Sequence, residues 1–264
     1  MLISKLVSAL ESEPVEPSLS CARICDEYER EARLIQSSLV PTKGLCHQSA
    51  EIAFRYIPFS DVGGDFADFF LLPDGFIGIY LGDVVGKGLP AAMYGALVMG
   101  ILRGVHKSGT DTARVLTLLN SRLMQRPISG RFCSTLYALF NPATRELIFS
   151  NAGMPLPLLA SPAMCRQLGD GGLPTAMFPD STYERHVVQL SPGDCILFAT
   201  DGLHELRSPG GVEFCTAQLK DVWAPCWRKS ATEALDVLFD RKLAFSDGNA
   251  PHDDITAVVL KVLP

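Results

Sequence analysis

The segment Phe76 to Gly88, Phe-Ile-Gly-Ile-Tyr-Leu-Gly-Asp-Val-Val-Gly-Lys-Gly, limits the fold more than any other. Its apolar run, Phe76 to Leu81, predicts a buried strand. The run reaches a lone acid, Asp83, and turns through Gly86 and Gly88. Pro90 then opens an Ala-rich apolar run to about Leu102. Pro suits a first helical turn because its missing N–H would have no partner there. A carboxylate at the mouth of a buried strand is costly unless paired, hydrogen-bonded or bound to metal. Asp83 therefore caps the turn, pairs with Lys87 or ligates a cation, and this stretch alone leaves all three open. Neither a phosphate-binding P-loop, with Gly88 where Ser or Thr is required, nor the dinucleotide fingerprint fits the glycine spacing.

Upstream, Glu51 to Pro58 alternates apolar and polar residues, as a half-buried strand does. Gly63 and Gly64 interrupt the chain beside Asp65. Phe69 to Leu72 leads into Pro73-Asp74-Gly75, a hairpin signal whose second strand is Phe76 to Leu81. Asp65 and Asp83 lie nine residues to either side of Asp74, so the hairpin brings them face to face.

Residues 1–19, with Pro14, Pro17 and several acids, read as a flexible N-terminal segment. Residues 20–41 form an amphipathic leading helix. Ile24, Tyr28, Leu34, Ile35 and Leu39 oppose Glu27, Glu29, Arg30, Glu31 and Arg33, and Pro41 ends it. It serves either to pack on the domain or as a dimer helix. Thr110-Asp111 caps a further helix to about Gln125. Strands follow at Cys133 to Phe140, Glu146 to Ser150 and Leu156 to Ala160, and Leu168 to Asp180 reads as a loop. Tyr183 to Leu190 and Asp194 to Ala199 read as a hairpin turned by Ser191-Pro192-Gly193. Helices are expected at Phe214 to Trp223 and Ala231 to Leu243. Twice more a buried strand carries an acid at its end: Asp201 after Ile196 to Ala199, and Asp253-Asp254 before Ile255 to Val262.

The 264 residues, 47% hydrophobic and 20% charged, suit a folded globular chain. A net charge of −6 argues against nonspecific binding to nucleic acid or anionic membrane. No apolar run reaches the length of a membrane span, and Met1 to Leu10 lacks the basic region of a signal peptide. The eight cysteines form no Cys-x-x-Cys pair. Together these give a reduced, cytoplasmic protein.

Asp65, Asp83, Asp201 and the Asp253–Asp254 pair share one setting, the end of an apolar strand. Carboxylates gathered with few cations repel, and a divalent metal is the ordinary remedy. All-oxygen ligation favours Mn²⁺ or Mg²⁺ over Zn²⁺.

The ordered set of motifs resembles the metal-dependent PPM (PP2C-type) protein phosphatases, in their bacterial SpoIIE/RsbU-like branch. The segments are Val62-Gly63-Gly64-Asp65, Gly82-Asp83-Val84-Val85-Gly86-Lys87-Gly88 with Pro90-Ala91-Ala92, Asn151-Ala152-Gly153, Leu190-Ser191-Pro192-Gly193-Asp194, Thr200-Asp201-Gly202 and Asp253-Asp254-Ile255-Thr256. The helix ending Gln36-Ser37-Ser38-Leu39-Val40-Pro41 resembles the segment that precedes such domains.

The resemblance implies an α+β fold for residues 42–264: a four-layer αββα sandwich of two mainly antiparallel sheets flanked by helices. It also implies two divalent ions, bridged by Asp83. The Val84 carbonyl and Asp65 would serve one, Asp201, Asp253 and Asp254 the other. The implied reaction is hydrolysis of phosphoserine or phosphothreonine by a metal-bridging hydroxide, with Asp65, Asp83, Asp201 and Asp253 as the catalytic set. The implied substrate is a phosphorylated STAS-domain anti-sigma-factor antagonist. The competing reading is an inactive phosphatase-fold module that sequesters a partner. Met154 stands where the family commonly has His. Lys87 either contacts phosphate or faces solvent, and His204 and His252 flank the acids in sequence without an assigned role.

Overall fold

The computed structural model describes residues 19–106, 111–249 and 252–264. The segment read as flexible, and Thr110 of the expected cap, lie outside them. The chain folds as an α+β sandwich of two antiparallel sheets with helices on both outer faces, as expected. The first sheet holds β1 (Leu45–His47), β2 (Ala50–Ile57), β7 (Leu158–Ala160), β8 (Cys165–Gln167), β10 (Cys195–Ala199) and β11 (Ile255–Val262). Its order is β1-β2-β11-β10-β7-β8. The second holds β3 (Phe66–Leu71), β4 (Ile77–Val84), β5 (Cys133–Asn141), β6 (Glu146–Ala152) and β9 (His186–Gln189). Its order is β3-β4-β5-β6-β9.

Between the sheets, Ile52, Phe69, Ile79, Leu81, Phe140, Phe149, Phe198 and Val258 interdigitate in one core. The continuous apolar runs of β4, β10 and β11 arise because these strands are covered on both faces. Helices α2 (Gly88–Val105) and α3 (Thr112–Met124) cover the second sheet through Ala91, Tyr94, Val98, Leu102, Val115 and Leu119. Asp111 caps α3, accepting from the Arg114 amide at 3.2 Å. Helices α4 (Thr216–Trp223) and α5 (Ala231–Ser246) cover the first sheet. The leading helix, α1 (Leu19–Leu39), packs against α2.

Helix α2 runs beyond the expected Leu102, and its 18 residues, with a mean hydropathy of 1.4, would suffice to cross a membrane by length and composition. Here its apolar face lies on the second sheet.

Two expectations are corrected. Residues 183–199 form no hairpin: β9 pairs with β6 in one sheet, while β10 pairs with β7 and β11 in the other. The Ser191-Pro192-Gly193 turn carries the chain between sheets. The burial patterns differ accordingly, alternating in β9 at a sheet edge and continuous in β10. Strand β8 was not expected; its three residues are too few to show a period.

Candidate active site

The expected acids converge at one end of the sandwich. Asp65 precedes β3 and Asp83 lies near the end of β4. Phe66 is in register with Gly82, so the two acids stand opposite each other, as their spacing about Asp74 requires. Asp201 opens a 3₁₀ turn, Asp201–Leu203, after β10. Asp253 and Asp254 lead into β11, which lies between β2 and β10.

Asp65 is buried, and its Oδ2 accepts from two hydroxyls, Thr200 Oγ1 at 2.8 Å and Thr256 Oγ1 at 2.7 Å. Burial and the charges of Asp83 and Asp254 push its carboxyl well above the usual range, and the two threonines act the other way. Burial, then Asp201, Asp253 and Asp254, push Asp83 up to about 7. A hydrogen bond with Asp65 opposes that rise. Asp201 opens to solvent along one side yet is desolvated by its surroundings, and that burial together with Asp253 raises it too. The same crowd reaches Glu205, raised by burial and by Asp201 and Asp253.

Asp254, expected as a metal ligand, has both oxygens engaged by the main chain. Oδ1 accepts from the Phe59 amide at 2.7 Å and Oδ2 from the Gly64 amide at 2.6 Å. A side chain at Gly63 would overlap this carboxylate. A Cβ at Gly64 would stand 2.8 Å from the Val84 carbonyl and 3.5 Å from Asp83 Oδ1. The two glycines thus let the loop close over both expected donors. On its outer side Gln36 of α1 clasps the same loop: Nε2 donates to the Gly63 carbonyl at 2.6 Å and Oε1 accepts its amide at 3.1 Å.

Asp253 accepts the Asp254 amide on Oδ1 at 2.9 Å and pairs through Oδ2 with Lys87 Nζ at 3.0 Å. Lys87 therefore pairs with Asp253, neither with Asp83 nor simply with solvent. Arg131 donates to the Val85 carbonyl at 2.5 Å and lies over Gly86, whose φ of +102° and missing side chain both suit glycine. A cavity of about 290 Å³ opens onto Asp83 and Asp201, walled by Ser134, Gly153, Met154 and Pro155. Met154 itself is buried in the inter-sheet core. His204 Nδ1 is buried without a hydrogen-bond partner among the described residues, and burial lowers the imidazole's pKa. Thr200, Thr256, Gln36, Arg131 and Ser134 had no role assigned from sequence. Thr200 and Thr256 stand in the Thr200-Asp201-Gly202 and Asp253-Asp254-Ile255-Thr256 motifs, with nothing in the sequence to tie either to Asp65.

This arrangement fits hard cations. Several carboxylates and one carbonyl face one another, Asp65 buried and Asp201 open to solvent, and Asp83 and Asp65 are driven toward the protonated state by burial and by the neighbouring acids. Cation charge would reverse that and hold them ionised. A separate group, Asp170, Glu184 and His186, gathers at the exposed β9 edge, outside the expected set.

The family model of stage II sporulation protein E (SpoIIE) matches residues 73–263. The chain is 27% identical over 256 residues to protein IcfG of Synechocystis sp., covering 86% of this chain and 40% of that one. It is 26% identical over 229 residues to phosphoserine phosphatase RsbU of Bacillus subtilis, covering 86% of this chain and 68% of that one. In fold it is similar to the SiaA-PP2C domain of Pseudomonas aeruginosa, with a TM-score of 0.80 at 19% identity, covering 93% of this chain and 99% of that one. The chain thus spans well under half the length of IcfG and about two thirds of that of RsbU.

Proposed function

The chain belongs to the stage II sporulation protein E family, and on that premise we propose that it is a metal-dependent protein-serine/threonine phosphatase. The observation that supports this reading most is the shared environment of Asp83, a strand-end carboxylate pushed up to about 7 by burial and by Asp201, Asp253 and Asp254. Such crowding is unfavourable without cations.

Two divalent ions, Mn²⁺ or Mg²⁺, would be held by Asp83, the Val84 carbonyl, Asp65, Asp201 and Asp253. When bound, such ions supply Lewis acidity and a water made nucleophilic at neutral pH. The chain's own groups do the rest. Thr200 and Thr256 hold Asp65 in one rotamer. Asp254 fixes the 59–65 loop and acts as a loop anchor rather than a ligand. The 290 Å³ cavity admits a phosphorylated side chain beside Asp83 and Asp201, with Ser134 on its wall. Hydrolysis breaks the phosphorus–oxygen bond and returns the serine or threonine hydroxyl and inorganic phosphate.

The substrate in this reading is a phosphorylated STAS-type anti-sigma-factor antagonist in the cytoplasm, a proposal that rests on family likeness. Exposed Tyr28, Leu34 and Ile35 on α1, beside exposed Met93 and Leu97 on α2, offer a surface to a second copy. The deciding experiment is Mn²⁺-dependent hydrolysis of an aryl phosphate by the wild type and by Asp83→Asn. Wild-type turnover is expected, with Asp83→Asn losing more than the ~100-fold typical of changes outside the ligand shell. Absence of turnover with Mn²⁺ and Mg²⁺, on the aryl phosphate and on a phosphorylated STAS protein, would leave the sequestering module as the better reading.

A further inference from the structure

Lys87 makes the one ion pair to the acid set among the described residues. Asp253 has its Oδ1 tied to the Asp254 amide, so Oδ2 is the oxygen without a main-chain donor. That is the oxygen the ammonium holds, at 3.0 Å. The same Nζ also donates to the His252 carbonyl and lies 4.7 Å from the centre of the Phe59 ring.

We propose that Lys87 competes with a divalent cation for Asp253 and so weakens the second of two cation-binding events. The inference rests on the metal-dependent reading and adds a residue that sets its affinity. A dication that takes Asp253 Oδ2 must meet or displace a unit positive charge on that same oxygen.

The surroundings allow displacement without refolding. Lys87 is the N-cap of α2, with extended backbone, between Gly86 and Gly88, both at positive φ. The turn is therefore fixed by its glycines, while the four-carbon stem of Lys87, about half exposed, is free to swing. The His252 carbonyl and the Phe59 face give the displaced ammonium a resting place beside the site. Metal-free, the pair supplies counter-charge to a crowd of carboxylates; metal-loaded, that counter-charge is redundant.

The test is calorimetric titration of the full chain with Mn²⁺. Wild type, Lys87→Met and Lys87→Arg are compared, with Arg207→Met as the charge control, since Arg207 pairs with Glu213. Two binding events are expected. Lys87→Met should tighten the weaker by about 2- to 5-fold, the scale of a partly exposed ion pair, and leave the tighter one unchanged. Lys87→Arg should bind the weaker ion at least as poorly as wild type, and Arg207→Met should match wild type. In chelator, Lys87→Met should melt below wild type, and saturating Mn²⁺ should close that gap. Unaltered constants in Lys87→Met, or equal tightening in Arg207→Met, would overturn the competition alone. Failure of the wild type to take up Mn²⁺ at all would overturn the metal-dependent reading and this inference with it.

Discussion

Thr256 Oγ1 stands 2.7 Å from Oδ2 of Asp65, joining residues 191 positions apart. The hydroxyl is fully buried and the acid nearly so, and Thr200 closes on the same oxygen at 2.8 Å. Thr256→Val keeps the shape of the side chain, suits a strand, and removes one donor from a buried acceptor. It should lower stability by about 1–3 kcal/mol in urea denaturation. Thr200→Val combined with Thr256→Val should depart from additivity, because the two share one acceptor. Purely additive losses would show that the pair does not act jointly on Asp65.

The pH dependence of the metal-free protein has a defined sign. Asp83 sits at about 7 when folded and at about 4 when unfolded. Between those values the native chain holds a proton that the unfolded chain has released. The associated stability is full below the unfolded value and is lost as pH rises through the folded one. In chelator, the urea midpoint should therefore fall between about pH 5 and pH 7.5, and Asp83→Asn should flatten that fall. A wild-type midpoint that climbs over this range would contradict the crowding of the acids.

Gln36 reaches the site without touching an acid, through its double clasp on Gly63. Gln36→Ala frees the outer side of the loop that Asp254 holds from within. Mn²⁺ affinity should weaken about tenfold, the lower end of what outer-shell changes cause. Titration that gives wild-type affinity would confine Gln36 to packing the leading helix.

Trp223 provides a control remote from the acids. It is fully buried under the first sheet, and its Nε1 donates to the Leu158 and Cys195 carbonyls at 3.1 and 3.3 Å. Trp223→Phe should cost about 1–3 kcal/mol of stability while the kcat of the folded enzyme on an aryl phosphate stays unchanged. A matching loss of kcat would mean that this outer layer and the site are coupled.

What was legible in the sequence was local. Pro73-Asp74-Gly75 marks a turn, and counting outward from Asp74 places Asp65 opposite Asp83, which is the register the sheet adopts. Each strand-end acid was visible because it interrupts an apolar run. Ser191-Pro192-Gly193 misled because turn chemistry is the same whether the chain folds back in one sheet or crosses to the other. Partners distant in sequence were not legible at all. Nothing near Lys87 announces Asp253, and nothing near Asp254 shows that its oxygens are engaged by amides at Phe59 and Gly64. Those contacts exist only once β11 lies between β2 and β10.

That placement of β11 fixes when the site can appear as the chain is made. Asp253 comes just before the strand, Asp254 and Thr256 organise the loop and rotamer of Asp65, and all three are translated after residue 250. A nascent chain that has emerged as far as α5 carries Asp65, Asp83, Asp201 and Thr200 but lacks the second hydroxyl on Asp65, the anchor of its loop and the last acid of the set. The strand that closes the centre of the first sheet is also the one that assembles the acids, so a chain truncated before it would have neither a finished sheet nor a formed site.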